Sequence, residues 1–429
     1  MHPSDHTLTS RDEFRRGWKI ILVAAVGLGF GLSALPIYSI GVLTKPLTAA
    51  FGISRGDVQS IYTCMTIGNL LAAPFLGMMI DRHGVRRITL ISVILMSIGM
   101  AMMGLAQSLW QLYAIGFVMS VVGVGTAPIT WTRVIVDWFS LNRGFALGIA
   151  LAGTGVVAVF LPLYTTWLVT DFGWRGGYVG LGALPLIFAL PLSYFLLYDR
   201  TGGTATPATK AAVATNDPEF GDVIRGYRFW VMSVAFFLVG ACIAGLVSAL
   251  VPILTDRGIT SGVAARVASV IGVMVIVGRA GAGYLLDRLW APGVALVMLT
   301  APVCGCLILV SRIGGMPGTV LAAATIGLAV GAEFSVLAFM VGKYFGQRRY
   351  GIIYACLYGV FKLSAGVGAP MFGYSFDITR SYNFILYVSA GALLVGSTLL
   401  LTLGPYRVGT TNTQMSHLST RRTSLEISK

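Results

Sequence analysis

The chain has 429 residues, 56% of them hydrophobic and 11% charged, with a mean hydropathy of +0.82. A water-soluble chain carries charge on about a quarter of its residues, so the solvent for most of this one is lipid. The net charge of +14 comes from 30 Lys+Arg against 16 Asp+Glu. These cations punctuate apolar runs and form no continuous stripe, which argues against nucleic acid and for a membrane surface.

Residues 1–17 form a polar tail. It runs into Arg15-Arg16-Gly17-Trp18-Lys19 and then a long apolar stretch, the pattern of a signal anchor rather than a cleaved leader. Crossing the hydrocarbon core takes about 20 apolar residues per helix. Twelve runs qualify: 18–43, 58–80, 88–107, 110–136, 144–169, 175–198, 228–254, 265–286, 290–311, 317–342, 351–375 and 382–404. No barrel-type alternation appears, so a helical bundle must satisfy the backbone. Residues 199–227 are polar, contain Gly202-Gly203, Pro207 and Pro218, and divide the spans six and six. They read as a cytoplasmic linker between bundles at 18–198 and 228–404, with a short amphipathic helix near its end. A tail at 405–429 follows. Twenty Lys/Arg fall on the side of the termini, seven on the other side, and Arg133, Arg279 and Lys362 within spans. That imbalance puts both termini in the cytoplasm.

The two halves echo one another. Gly77-x-x-x-Asp81-Arg82 recurs as Gly283-x-x-x-Asp287-Arg288, Trp138-Phe139 as Tyr344-Phe345, and Asp171 as Asp377, all 206 positions on. Duplicated halves enclosing a site near the bilayer midplane are a transporter feature. Cys64, Cys242, Cys304, Cys306 and Cys356 lie within apolar runs, without zinc or disulfide-framework spacing, and read as packing residues. No metal, cofactor or enzymatic cluster is expected, and no appended domain suggests a sensor.

The turn after the second span reads Gly77-x-x-x-Asp81-Arg82-x-Gly84-x-Arg86-Arg87. Gly77 is expected to let helices approach, Gly84 to make the turn, and Asp81 to cap a helix end or meet an arginine. The arginines suit anionic headgroups and carboxylates at that face. This motif is similar to the signature of the major facilitator superfamily. The resemblance implies an all-α membrane protein of twelve transmembrane helices in two pseudo-symmetric six-helix bundles. Asp81, Arg82, Arg86, Arg143, Asp287 and Arg288 would then form a cytoplasmic gate.

The lead-in to the fifth span is Asp137-Trp138-Phe139-Ser-Leu-Asn-Arg143-Gly144, with Gly144, Gly148 and Ala152 forming a small-residue face. This segment resembles the monocarboxylate transporters and bacterial oxalate/formate antiporters. Charges within a span are costly unless solvated or paired. Arg279 lies eight residues from Asp287, and Lys362 about twelve from the start of its span. At 1.5 Å per residue they stand roughly 12 and 18 Å from the same face. The resemblance makes them anion-binding cations. For Arg279, a structural pair with Glu333 is the alternative. Glu333 carries either a coupling proton or that ion pair. Arg133 reads as a snorkelling or gating residue. Tyr38, Asn69, Tyr164, Tyr354 and Tyr358 are candidate hydrogen-bond donors to a substrate. Two departures stand out: Ile37 follows Pro36 where many animal monocarboxylate transporters carry lysine, and Val275 stands where they carry an acid. Their proton route therefore does not transfer. The expected function is secondary transport of a small mono- or dicarboxylate, aromatic ones included, with a coupling proton or counter-transported anion, by a monomer in the inner or plasma membrane. Efflux of a hydrophobic or cationic compound is the alternative, and it leaves Arg279 and Lys362 unexplained.

Overall fold

In the computed structural model, residues 10–139, 143–198, 220–346 and 350–406 are described. Most of the predicted linker, both distal tails, and the side chains of Asp81 and Arg143 lie outside the described residues. The chain is helical throughout the described part. In order, α1 is Ser10–Gly29, α2 Leu35–Phe51, α3 Arg55–His83, α4 Val85–Met103, α5 Leu109–Val122, α6 Pro128–Trp138, α7 Arg143–Leu184 and α8 Leu190–Leu196. The short α9 is Phe220–Arg225, the position expected for a linker helix. Then come α10 Tyr227–Asp256, α11 Ser261–Leu286, α12 Ala291–Ser311, α13 Gly315–Phe345, α14 Tyr350–Thr379 and α15 Asn383–Leu399.

Nine helical stretches among the described residues are long and apolar enough to cross a membrane. One of them, Phe145–Leu196, turns back at Gly173, where φ is 69° and ψ 179°, and so supplies two passes. Two further passes are broken helices: α1 with α2, and α5 with α6. The breaks have local causes. Pro36 and Pro128 sit in the first turns of α2 and α6, where their missing N–H costs nothing. The twelve passes expected from hydropathy are all accounted for, but the first reaches Phe51 rather than residue 43.

Turn chemistry follows the residues. Gly84 has φ 82°, the positive value needed between α3 and α4. Ser54 and Asp57 form a reciprocal capping box at the start of α3. One large apolar core centres on the helices after the linker and also takes in Val42, and other cores centre on the helices before it, one of them taking in Ala244, Ala365 and Ala369. The halves meet along α3 against α14 and α7 against α11.

These seams are tight where glycine replaces a side chain. A Cβ on Gly272 would collide with the Val159 backbone, and one on Gly373 would lie 2.5 Å from the Gly56 nitrogen. Gly77 and Gly148 behave differently from expectation: a Cβ on either meets nothing within 4 Å, and the same holds for Gly283. Close packing on α7 falls instead at Gly153 and Gly155, nearer its middle. Gly77, Gly148 and Gly283 share one end of the molecule, and each borders open space there.

Candidate functional site

At the opposite end the halves are joined by charge. The Arg55 guanidinium donates to both Asp256 oxygens, at 2.5 and 3.0 Å, and to the Tyr382 hydroxyl at 2.9 Å. It also stacks 3.7 Å from the Phe376 ring centroid. Lys45 reaches Asp256 at 2.6 Å. Asp377 accepts the backbone N–H groups of Arg55 and Gly56 at 3.1 and 2.8 Å, capping α3 from across the interface. Both ion pairs, Lys45–Asp256 and Arg55–Asp256, link the halves at this end.

The expected gate lies at the other end. Arg86 donates to the Tyr194 carbonyl at 2.6 Å and packs by the Tyr194 and Tyr198 rings. Arg82, Asp287 and Arg288 are exposed, with Arg288 resting 3.6 Å over the Tyr284 ring.

Between the ends lies a polar cluster in an apolar surround. Arg279 is 7% exposed on α11, and Glu333 5% exposed on α13. Gly278 and Gly331, each without room for a Cβ, let α11 and α13 cross beside them. Lys362 on α14 is half-buried. Glu333 lies within electrostatic range of both cations, yet none of the three forms an ion pair within 4 Å. One carboxylate oxygen of Glu333 and the Arg279 Nε lack hydrogen-bond partners. The Arg279 guanidinium donates instead to the Thr154 hydroxyl of α7, at 3.0 Å, and Thr154 donates to the Leu151 carbonyl. A buried arginine of one half is thus oriented by the other half.

Phe334 sits between the cations, its ring centroid 5.9 Å from Arg279 Cζ and 5.9 Å from Lys362 Nζ. Tyr358 packs 5.8 Å from Phe334 and 5.7 Å from Lys362 Nζ. Tyr38, from α2, is within electrostatic range of Arg279 and Glu333, and Tyr354 is within range of Arg279. The hydroxyls of Tyr38 and Tyr354 make no hydrogen bond among the described residues. Asn69 is half-buried on α3. Tyr164 donates to the Gly180 carbonyl at 3.2 Å and belongs to packing around α7. Arg133 lies on α6.

Sequence reasoning missed Thr154, Phe334 and the Arg55–Asp256–Asp377 latch. For the latch there was a signal: the 206-residue repeat singled out Asp377, and the capping box marked the helix start it meets. For Thr154 and Phe334 there was none, since neither residue type is unusual inside a span.

A doubled six-helix array with a buried, part-polar cluster between its halves defines a membrane transporter. The Major Facilitator Superfamily model matches residues 26–369, and the chain belongs to that superfamily. It is 29% identical over 406 residues to monocarboxylate transporter 13 of Bos taurus, covering 90% of this chain and 89% of that one. It is 25% identical over 405 residues to monocarboxylate transporter 4 of Rattus norvegicus, covering 91% and 83%. Among solved structures, a D-xylose-proton symporter matches with TM-score 0.70 at 14% identity, over 90% of this chain and 98% of that one. A bacterial homologue of the human lysosomal transporter Spinster, inward-facing and occupied, matches with TM-score 0.61 at 18% identity, over 91% and 94%. At these identities the two structures speak for the fold alone.

Proposed function

We propose that this transporter moves a small organic carboxylate by alternating access, with the anion held between Arg279 and Lys362. The observation that carries the reading is the unpaired state of two buried charges, Arg279 and Glu333, and the half-buried Lys362. Glu333 lies within electrostatic range of both Arg279 and Lys362 without closing an ion pair to either. Buried charges are normally paired, so donors left open at this depth favour an anion that completes them. Arginine offers a planar two-pronged donor and lysine a mobile point charge. The two cations and Glu333 sum to one positive charge, which a monocarboxylate neutralises. A dicarboxylate is neutralised when Glu333 also holds a proton, and that gives Glu333 a coupling role.

The latch at Arg55 and the unpacked glycines at the far end support a cycle in which the halves rock about the α7–α11 and α3–α14 seams. The cation count supports an extracytoplasmic position for the closed end, both termini in the cytoplasm, and a loop at 199–227 joining bundles at 18–198 and 228–404. In that arrangement Asp81, Arg82, Arg86, Arg143, Asp287 and Arg288 line the inner opening.

The test is uptake of a panel of mono- and dicarboxylates, neutral analogues and organic cations into proteoliposomes. Arg279→Lys should impair carboxylate binding despite keeping the charge, because the fork is lost. Lys362→Ala should weaken dianions more than monoanions. Uptake confined to neutral or cationic compounds, or wild-type anion affinity in Lys362→Ala, overturns the proposal.

A further inference from the structure

Tyr350, Tyr354, Tyr358 and Lys362 recur every fourth residue on α14 and so share one helix face. Their rings stack in sequence. Tyr350 and Tyr354 are 5.6 Å apart at 6° between planes, and Tyr354 and Tyr358 are 6.0 Å apart at 27°. The column begins at the start of α14, at the end of the molecule that carries Gly77, Gly148 and Gly283, and stops at the Lys362 ammonium. There Phe334 continues it, 5.8 Å from Tyr358 and 5.9 Å from Arg279 Cζ. All three tyrosines and Phe334 are only partly buried, unlike neighbouring Leu357 and Phe361, which are 0% and 4% exposed. Tyr350, Tyr354 and Phe334 pack against the core of the second half, yet like Tyr358 they keep part of their surface accessible near the two cations.

We infer that the site selects planar, conjugated carboxylates, with the acid group between Arg279 and Lys362 and the ring against Tyr358 and Phe334. The inference rests on the carboxylate-transport reading above and narrows it. Ring–ring contacts prefer offset or tilted arrangements and add stabilisation beyond apolar area. A flat acid gains them, and a saturated ring of the same size does not. The partly exposed Tyr354 ring offers an intermediate contact along the column as such an acid approaches the cations.

The discriminating pair is benzoate and cyclohexanecarboxylate, which match in size and are both anionic at neutral pH. Their affinities for the purified full-length protein are measured by calorimetry, and the ratio is read so that a general loss of binding cancels. Benzoate should bind roughly fivefold to tenfold tighter, given one or two aromatic contacts. In Tyr358→Leu and in Phe334→Leu the ratio should fall to about twofold or less, the difference of one such contact. Tyr358→Phe keeps the ring and should keep the ratio, which separates loss of stacking from loss of fold. Equal wild-type affinities, or an unchanged ratio in both leucine variants, overturn the aromatic preference and leave carboxylate transport standing. If neither acid binds while neutral or cationic compounds do, the carboxylate reading falls and takes this inference with it.

Discussion

Neutralising Asp256 tests whether the charge cluster at the closed end holds the observed conformation. Asp256→Asn keeps the shape and removes the charge that two cations share. The Arg55–Asp256 contact is partly buried, with side chains 13% and 24% exposed, and charged hydrogen bonds of this kind contribute about 1.5–3 kcal/mol. Lys45 is 38% exposed, so its share is screened to about 0.5 kcal/mol. The Asp377 cap on α3 and the Phe376 stacking are untouched. A net loss of about 2–3 kcal/mol from the closed end shifts the balance between conformations roughly 30- to 150-fold. Ala50 and Ile378 are exposed on opposite halves at this end. With spin labels at Ala50→Cys and Ile378→Cys in a background lacking the five native cysteines, Asp256→Asn should populate a longer distance. Asp256→Glu should restore much of the short one. A distance distribution identical in Asp256→Asn and wild type would refute the latch.

Two further outcomes follow from packing and charge. Gly272→Ala drives a Cβ into the Val159 backbone, where nothing can yield; overpacking of about 1–3 kcal/mol should lower the melting temperature. Gly148→Ala meets open space and should leave melting unchanged yet slow transport, because the end it occupies must close once per cycle. Equal melting for both variants would show that the seam tolerates a methyl group. For orientation, Ala208→Cys in the linker should resist a membrane-impermeant thiol reagent added to intact cells, and labelling there would reverse the assigned topology.

The membrane-spanning pattern was legible because hydropathy acts locally: each span must be apolar along its own length, whatever its neighbours. The same holds for the turn at Gly84, whose φ of 82° follows from the residue itself, and for the cost that marks Arg279 and Lys362 as exceptional. The 206-residue repeat exposed the doubled fold before any contact was known. Partnerships were not legible in this way. Whether Arg279 meets Glu333 or Thr154 depends on which helix faces it at that depth, and α7 and α13 both approach α11 there. Periodicity says which residues share a helix face and is silent on what lies opposite.

Gly77 and Gly148 show the further limit. Their sequence context marks them for close approach, but the structure leaves them open, because packing at that end depends on the conformation the halves adopt. The latch of Arg55, Asp256 and Asp377 is the complement of that opening: it joins residues more than 200 positions apart. One sequence must serve every conformation of the cycle, so it specifies the helices and the buried charges. The tertiary structure decides which end is shut and which donors are left for a substrate.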